Sequence, residues 1–279
     1  GEMLLKAILP NANNNSNDNK GIVLYDLTAG FGRDSLIAAT GGDGKISHVV
    51  MCERDIIVST LLKDGVRRLK LLASLVDDDD DDDVADEVIQ RAKMLSSKLT
   101  LCVGDGAKMI RDLVTTTHSS LVEDHSNDND EGSFVVPKPP DVCYLDPMFP
   151  PRTKSAAVKK DMQILHGLLQ TNQKTHSNND NDDDTASIID NGQNAIHKKL
   201  NQKQANRLEE ERALLNAALD IAKNRVVVKR PLKAPPLGVV DDDDDDETVK
   251  ENNGNNKVTI PKPSYDLKGS VNRFDVYIK

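Results

Sequence analysis

Four apolar runs of strand length in this chain each lead into an acid, and helix-patterned segments separate them. Val23-Leu24-Tyr25 meets Asp26, and His48-Val49-Val50-Met51-Cys52 meets Glu53. Leu99 to Val103 reaches Asp105 across Gly104, and Val142-Cys143-Tyr144-Leu145 meets Asp146. Strand, helix, strand, helix in this order predicts a doubly wound α/β fold, a parallel sheet with right-handed crossovers. In such sheets ligands gather at the carboxyl ends of the strands, near the point where the strand order reverses. Acids at four strand ends are therefore candidate ligand contacts.

The remaining elements fill in around those strands. Arg33 to Thr40 is expected as a helix, as is Ile56 to Leu75, where Leu61, Leu62, Val66, Leu69 and Leu72 keep a three-to-four spacing. Val84 to Leu95 and a segment beginning at Ala107 to Leu113 are further helices, and Gln204 to Lys223 is rich in strong helix formers. Arg225 to Lys229 carries the β-branched run Val226-Val227-Val228 and is the fifth strand. Phe274 to Ile278 closes the sheet, with Tyr265 to Leu267 pairing beside it across Gly269.

Two of the strand ends carry recognisable chemistry. After Asp26 the chain reads Leu27-Thr28-Ala29-Gly30-Phe31-Gly32-Arg33-Asp34, a glycine turn into a helix. Gly30 and Gly32 permit tight turning and close approach of a ligand to the backbone. An acid about twenty residues after such a turn is where this kind of sheet holds a ribose diol, and Glu53 stands there. That spacing predicts a nucleoside-containing cofactor. The fourth strand end, Asp146-Pro147-Met148-Phe149, combines a carboxylate, a carbonyl beside a proline and an aromatic ring. The two acceptors suit the hydrogens of a planar amino group, and the ring suits stacking on the base or amide that carries it. Such an arrangement suits methyl transfer to an exocyclic or amide nitrogen. Plainer roles stand beside these: Asp26 as a turn brace, Asp105 as a turn residue, Asp146 as a cap ahead of Pro147.

The chain of 279 residues has a formal charge of -10, which at first excludes a polyanionic partner. Thirteen of those negative charges lie in two unbroken runs, Asp77 to Asp83 and Asp241 to Asp246, and the rest sums to about +3. The acidity belongs to solvated insertions, and the local surface potential governs encounter with RNA. Low-complexity stretches near 11–20, 77–83, 171–200 and 241–257 cannot bury enough apolar surface to offset their ordering entropy. A single domain over residues 1–279 is expected around them.

Cys52, Cys102 and Cys143 each sit in an apolar run, without a CxxC pair, and are expected as buried thiols in a reducing compartment. The six histidines show no metal spacing, and no metal is expected. No run approaches the roughly 18 apolar residues of a membrane span. The chain opens almost directly on the first strand, as an excised fragment would. A cytoplasmic location is expected, with an organelle ribosome left open by the Asn- and Asp-rich insertions.

The segments DLTAGFGRD, CERD, LDPMFPPRTKSAAVKKDM, RVVVKRP and NRFDVY together resemble the bacterial small-subunit ribosomal RNA guanine-N2 methyltransferases of the J type. The resemblance covers most of the chain outside the insertions, and the block after Asp146 is long and distinctive. It implies a class I methyltransferase fold, Rossmann-like, with a mostly parallel seven-stranded sheet and helices on both faces. It also implies S-adenosyl-L-methionine as cofactor and small-subunit rRNA, or the assembling small subunit, as partner. The family also carries a small amino-terminal region, which this sequence is expected to lack. By the same resemblance Arg33 and Asp34 match cofactor-binding positions, Glu53 and Arg54 match the second-strand pair with Glu53 on the ribose hydroxyls, Asp105 and Gly106 match the third-strand position beside the adenine, and Asp146 matches the acid at the catalytic strand end. Asp105-Gly106 departs from the small hydroxyl residues of the family. The basic residues Arg152, Lys154, Lys159 and Lys160, and Lys229, Arg230 and Lys233 after the fifth strand, are read as phosphate contacts, or else as a solvated face. Rival substrates for the same chemistry are adenine N6, cytosine N4 and a protein glutamine. A non-catalytic RNA-binding assembly factor is the rival of another class.

Overall fold

The computed structural model describes residues 2–9, 21–42, 44–75, 83–119, 139–147, 191–237 and 260–279. The chain divides into two compact units, one formed by Gly1–Pro147 with Glu211–Lys279 and the other by Met148–Glu210. Within the second unit the described part is helical, beginning at Asn191.

The first unit follows the expected alternation. In order it contains α1 (Glu2–Ile8), β1 (Ile22–Asp26), α2 (Arg33–Gly41), β2 (Ile46–Glu53), α3 (Ile56–Ala73), α4 (Asp83–Lys98), β3 (Leu99–Val103), α5 (Gly106–Ser119) and β4 (Val142–Leu145). The later part of α6 (Asn191–Ile221), then β5 (Arg225–Pro231), β6 (Tyr265–Lys268) and β7 (Asn272–Ile278), completes it. The seven strands form one sheet in the order β3-β2-β1-β4-β5-β7-β6. The pairs among β1 to β5 are parallel, and β7 runs antiparallel to both of its neighbours. From β1 the chain builds outward to β3, then crosses back to set β4 on the other side of β1. The reversal point lies between β1 and β4, where ligands are expected.

The strands read as near-continuous apolar runs because both faces are covered. On one face Leu24, Val49, Met51, Val142, Tyr144, Val227 and Val276 pack with Ala38 and Ala39 of α2 and with Leu4, Ala7 and Ile8 of α1. Tyr25, Cys52, Cys102 and Cys143 alternate onto the other, and the three free cysteines are buried as the sequence suggests. Tyr25, Tyr144 and Tyr277 are among the largest fully buried side chains, each removing roughly 150–250 Å² from water. Helix α1 was not foreseen. Arg225 donates through Nη1 to the carbonyls of Ala7 and Leu9 at 3.2 Å each. It thereby satisfies acceptors that a helix end leaves open and fastens α1 to the sheet. Among the described residues no helix is long and apolar enough to cross a membrane.

Candidate active site

The turn after β1 is fixed from three directions. Asp26 is buried, and its carboxylate accepts from Ser35 Oγ at 2.5 Å and from the Thr28 amide at 3.2 Å. Burial, against these hydrogen bonds, pushes the Asp26 carboxyl up to about 7, and the charges of Asp34 and Asp146 add to the rise. Gly30 and Gly32 both take positive φ, 55° and 74°, a region that an L side chain enters at a cost of about 1–2 kcal/mol. A Cβ on Gly32 would meet Leu62 at 2.8 Å, whereas one on Gly30 would point into open space. The turn is therefore braced underneath and bare on top.

Glu53, at the end of β2, grips the same turn. Its Oε2 accepts from the Gly30 amide and its Oε1 from the Asp55 amide, both at 2.8 Å. Each carboxylate oxygen has two lone pairs, so both retain capacity for a diol. Next to it, at the end of β3, Asp105 accepts from the Lys108 amide at 2.9 Å and caps α5. Arg54 lies 3.9 Å from Asp105, both on the surface. Gly106 is required by close approach, since a Cβ there would stand 2.9 Å from the Leu27 carbonyl.

Strand β4 delivers Asp146 on the opposite side of the turn. The Asp146 amide donates to Thr28 Oγ1 at 2.6 Å, and the Leu27 amide donates to the Tyr144 carbonyl at 2.9 Å. Glu53 and Asp146 thus flank one short turn, two residues apart at their contact points, Gly30 and Thr28. Parallel pairing sets Leu145 opposite Val228, which brings Lys229 level with Asp146. Lys229 Nζ donates to Asp146 Oδ2 at 2.7 Å and to Asp34 Oδ2 at 2.8 Å. Tyr144, two residues before Asp146 on the same face, donates its hydroxyl to Asp34 Oδ2 at 2.6 Å.

Burial raises the Asp146 carboxyl above the ordinary aspartate range; the Lys229 charge and hydrogen bond oppose this, and Asp34 reinforces it. Asp34 is also pushed up by burial. Its hydrogen bonds from Lys229 and Tyr144, with the Lys229 charge, outweigh that and hold it low. Burial pulls the Lys229 ammonium down, but the two carboxylates raise it overall, Asp146 most.

Several candidates take other positions from those the sequence suggested. Lys229 is committed to two carboxylates, so its charge is answered inside the site and not displayed to a phosphate. Arg230 is buried, with Nη1 3.4 Å from Glu211 Oε2 and Nη2 donating to the Pro235 carbonyl at 3.0 Å; its guanidinium is enclosed, not offered to a polyanion. Asp26 faces Ser35 and the turn amide, and its carboxylate holds the turn from beneath. Asp34 is turned to Tyr144 and Lys229 at the catalytic end. Arg33 and Lys233 are exposed. Pro147 is buried directly after Asp146. Phe149, Arg152, Lys154, Lys159 and Lys160 lie outside the described residues. Sequence reasoning missed Thr28 and Tyr144. A hydroxyl just before Gly30 and a tyrosine two residues ahead of Asp146 are the signals that could have found them.

Residues 2–179 match the family model described as "Putative SAM-dependent methyltransferase". A curated protein of Chromohalobacter salexigens named ribosomal RNA small subunit methyltransferase J is 28% identical over 255 residues, covering 91% of this chain and 62% of its own length. A protein of the same name from Colwellia psychrerythraea is 31% identical over 256 residues, covering 92% of this chain and 57% of its own. The chain therefore spans about three fifths of the curated relatives it matches. A solved SAM-dependent methyltransferase from Neisseria gonorrhoeae aligns with 92% of this chain and 64% of its own at 23% identity and a TM-score of 0.43. The fold assignment rests on the strand order, not on that superposition.

Proposed function

This chain belongs to the SAM-dependent methyltransferase family, and we propose that it transfers a methyl group to the exocyclic N2 of a guanine in small-subunit ribosomal RNA. The observation that carries the reading is Asp146, held at the end of β4 across a bare glycine turn from Glu53. The relatives' printed name supports the RNA as substrate, and the DPMF motif supports an amino nitrogen as target.

The residues at the turn suit the cofactor that the family name implies. Gly30 leaves its upper side open, Glu53 keeps lone pairs for two ribose hydroxyls, and Asp105 with Gly106 borders the base side. S-adenosyl-L-methionine supplies a methyl group on a positively charged sulfur. The guanine amine is a weak nucleophile because its lone pair is delocalised into the ring. Asp146 and the Pro147 carbonyl accept its two hydrogens and turn the lone pair toward the methyl carbon. When bound, the cofactor would supply the methyl carbon to the new nitrogen–carbon bond and retain the electron pair of the sulfur–carbon bond that is broken. The surplus proton on nitrogen passes to Asp146 or to water. Positioning is the main contribution of the protein. The target base is single-stranded or extruded; the sequence pattern supports Phe149 as a stacking ring and Arg152, Lys154, Lys159, Lys160 and Lys233 as phosphate contacts.

The test is incubation of the chain with labelled cofactor and small-subunit RNA or subunits lacking the modification, followed by digestion and mass spectrometry of nucleosides. N2-methylguanosine is the expected product. Methyladenosine or methylcytidine would move the reading to another base, and binding of RNA without any cofactor binding would favour an assembly factor. Asp146→Ala is expected to abolish product while cofactor affinity stays within several-fold; normal turnover would remove Asp146 from the mechanism.

A further inference from the structure

We propose that Lys229 is the positioning residue of the methyl-transfer site: wedged between Asp34 and Asp146, its ammonium occupies one oxygen of Asp146 and leaves the other to receive the amine. The inference rests on the methyl-transfer reading above, and it reassigns a lysine that sequence alone groups with the RNA contacts.

The geometry is built by three separate elements. Lys229 comes from β5, Asp146 from the end of β4 and Asp34 from the first turn of α2. The β4–β5 register aligns Lys229 with Asp146, and the buried Tyr144 hydroxyl fixes Asp34 from below. The result is a hydrogen-bonded line from Tyr144 to Asp34, with Lys229 tying Asp34 to Asp146. Lys229 and Asp34 side chains are each 20% exposed and Asp146 is 35% exposed, so the line rises from the core to the rim where a substrate arrives.

This line has a chemical purpose that a surface ion pair lacks. An ionised carboxylate accepts an amine hydrogen more strongly than a neutral one, and only the ionised form can take up the proton that the methylated nitrogen sheds. Asp146 is already pushed toward its protonated form by burial and by Asp34. Lys229 is the counterweight. Around it stand Asp34 and Arg33 from α2, Tyr144 and Asp146 from β4, and Asp26 at the end of β1. On the other flank β7 sets Phe274 opposite Lys229, while Asp275, level with Val228, is bound by Arg273. Among the described residues recorded around this pair, Lys229 is the cation bonded to both acids.

Lys229→Met removes the cation but keeps the length of the side chain; Lys229→Arg keeps a cation. Turnover, cofactor affinity by calorimetry and the pH profile from 6 to 9 are measured for both and for the unaltered chain. Lys229→Met is expected to lower kcat about 100-fold at pH 7, the scale of a misplaced reacting group, with cofactor affinity within threefold. Its pH profile is expected to be displaced to higher pH than that of the unaltered chain, as Asp146 ionises without help, and Lys229→Arg is expected to restore at least tenfold over Met. Turnover within threefold in the Met variant overturns the proposal, as does a loss that is the same at every pH and accompanies lost cofactor binding. If the unaltered chain methylates no guanine, the functional reading fails by itself. Carbon-13 NMR of the Asp146 carboxyl still decides this inference: its titration is expected to move upward in Lys229→Met, and an unmoved midpoint refutes it.

Discussion

Asp26→Asn gives a direct measure of how the glycine turn is held. Asp26 is enclosed at 1% exposure and its carboxyl sits at about 7 in place of an ordinary 3.8. A folded-state value above the unfolded one means that the folded chain holds an extra proton between about pH 4 and pH 7. Stability is then fully present below pH 4, falls as pH rises through that window, and has lost the whole contribution above pH 7. At 1.36 kcal/mol per pH unit the full loss is about 4 kcal/mol. Asparagine keeps the acceptor for the Thr28 amide and offers an amide hydrogen to Ser35 Oγ, with a few tenths of an ångström of relaxation from the present 2.5 Å. It carries no charge at any pH, so its curve lacks the decline. Because the chain has a pI near 5.1, urea melts at pH 5.5 and 8.5 avoid precipitation and sample about half of the window. Asp26→Asn is expected to gain about 2 kcal/mol on the unaltered chain between those two pH values. Asp34, whose carboxyl is held low, loses its contribution only on acidification below that range, and it is common to both proteins. A stability difference that stays constant from pH 5.5 to 8.5 would refute the claim that Asp26 is buried as its neutral form.

Glu53→Gln replaces one of two acceptor oxygens with a donor that faces a backbone amide, and it removes the charge that a ribose diol would meet. Cofactor affinity is expected to fall roughly 10- to 100-fold, from about 1.5–3 kcal/mol for hydrogen bonds to a charged group; an unchanged affinity by calorimetry counts against Glu53 as the sugar contact. Arg230 and Lys233 stand three positions apart in sequence but are expected to separate in function. Arg230→Ala removes a buried ion pair with Glu211 and the hydrogen bonds to the Pro235 carbonyl, and is expected to destabilise the fold by about 3 kcal/mol in denaturant melts. Lys233→Glu is expected to leave the melt unchanged and to weaken RNA binding in a salt-dependent way; the reverse pattern would return Arg230 to the RNA surface.

Strand positions were legible because burial on both sheet faces leaves apolar runs that nothing else in the chain imitates. Leu99–Val103 and Val142–Leu145 coincide with the sequence expectation residue for residue, and Ile22–Tyr25 falls one residue short. The carboxyl ends of the strands were legible for a related reason: an acid or a glycine turn stops each apolar run there. Helix α1 was not legible, because seven residues give too short a period and its anchor, Arg225, lies more than two hundred residues away. The role of Lys229 was hidden for the same kind of reason. In Val228-Lys229-Arg230 the two cations look alike, and only the pairing of β5 with β4 and β7 sends one to Asp146 and the other to Glu211. Asp26 shows the converse. Its position marked it as a ligand contact, and its hydrogen bonds give it to Ser35 and Thr28.

The reversed direction of β7 has a consequence for how this scaffold can diversify. Pairing of Pro231 with Asn272 and of Arg225 with Ile278 places the β6–β7 connection, around Gly269 to Val271, at the same sheet end as Lys229. Val271 is exposed there, and Gly269 closes the connection by donating to the Asn272 carbonyl at 2.8 Å. Residues inserted at that bend would add a wall at the sheet end that carries Lys229 while every rung of the ladder behind it stayed in place. Substrate preference could in this way drift in one hairpin, independently of the elements that grip the methyl donor.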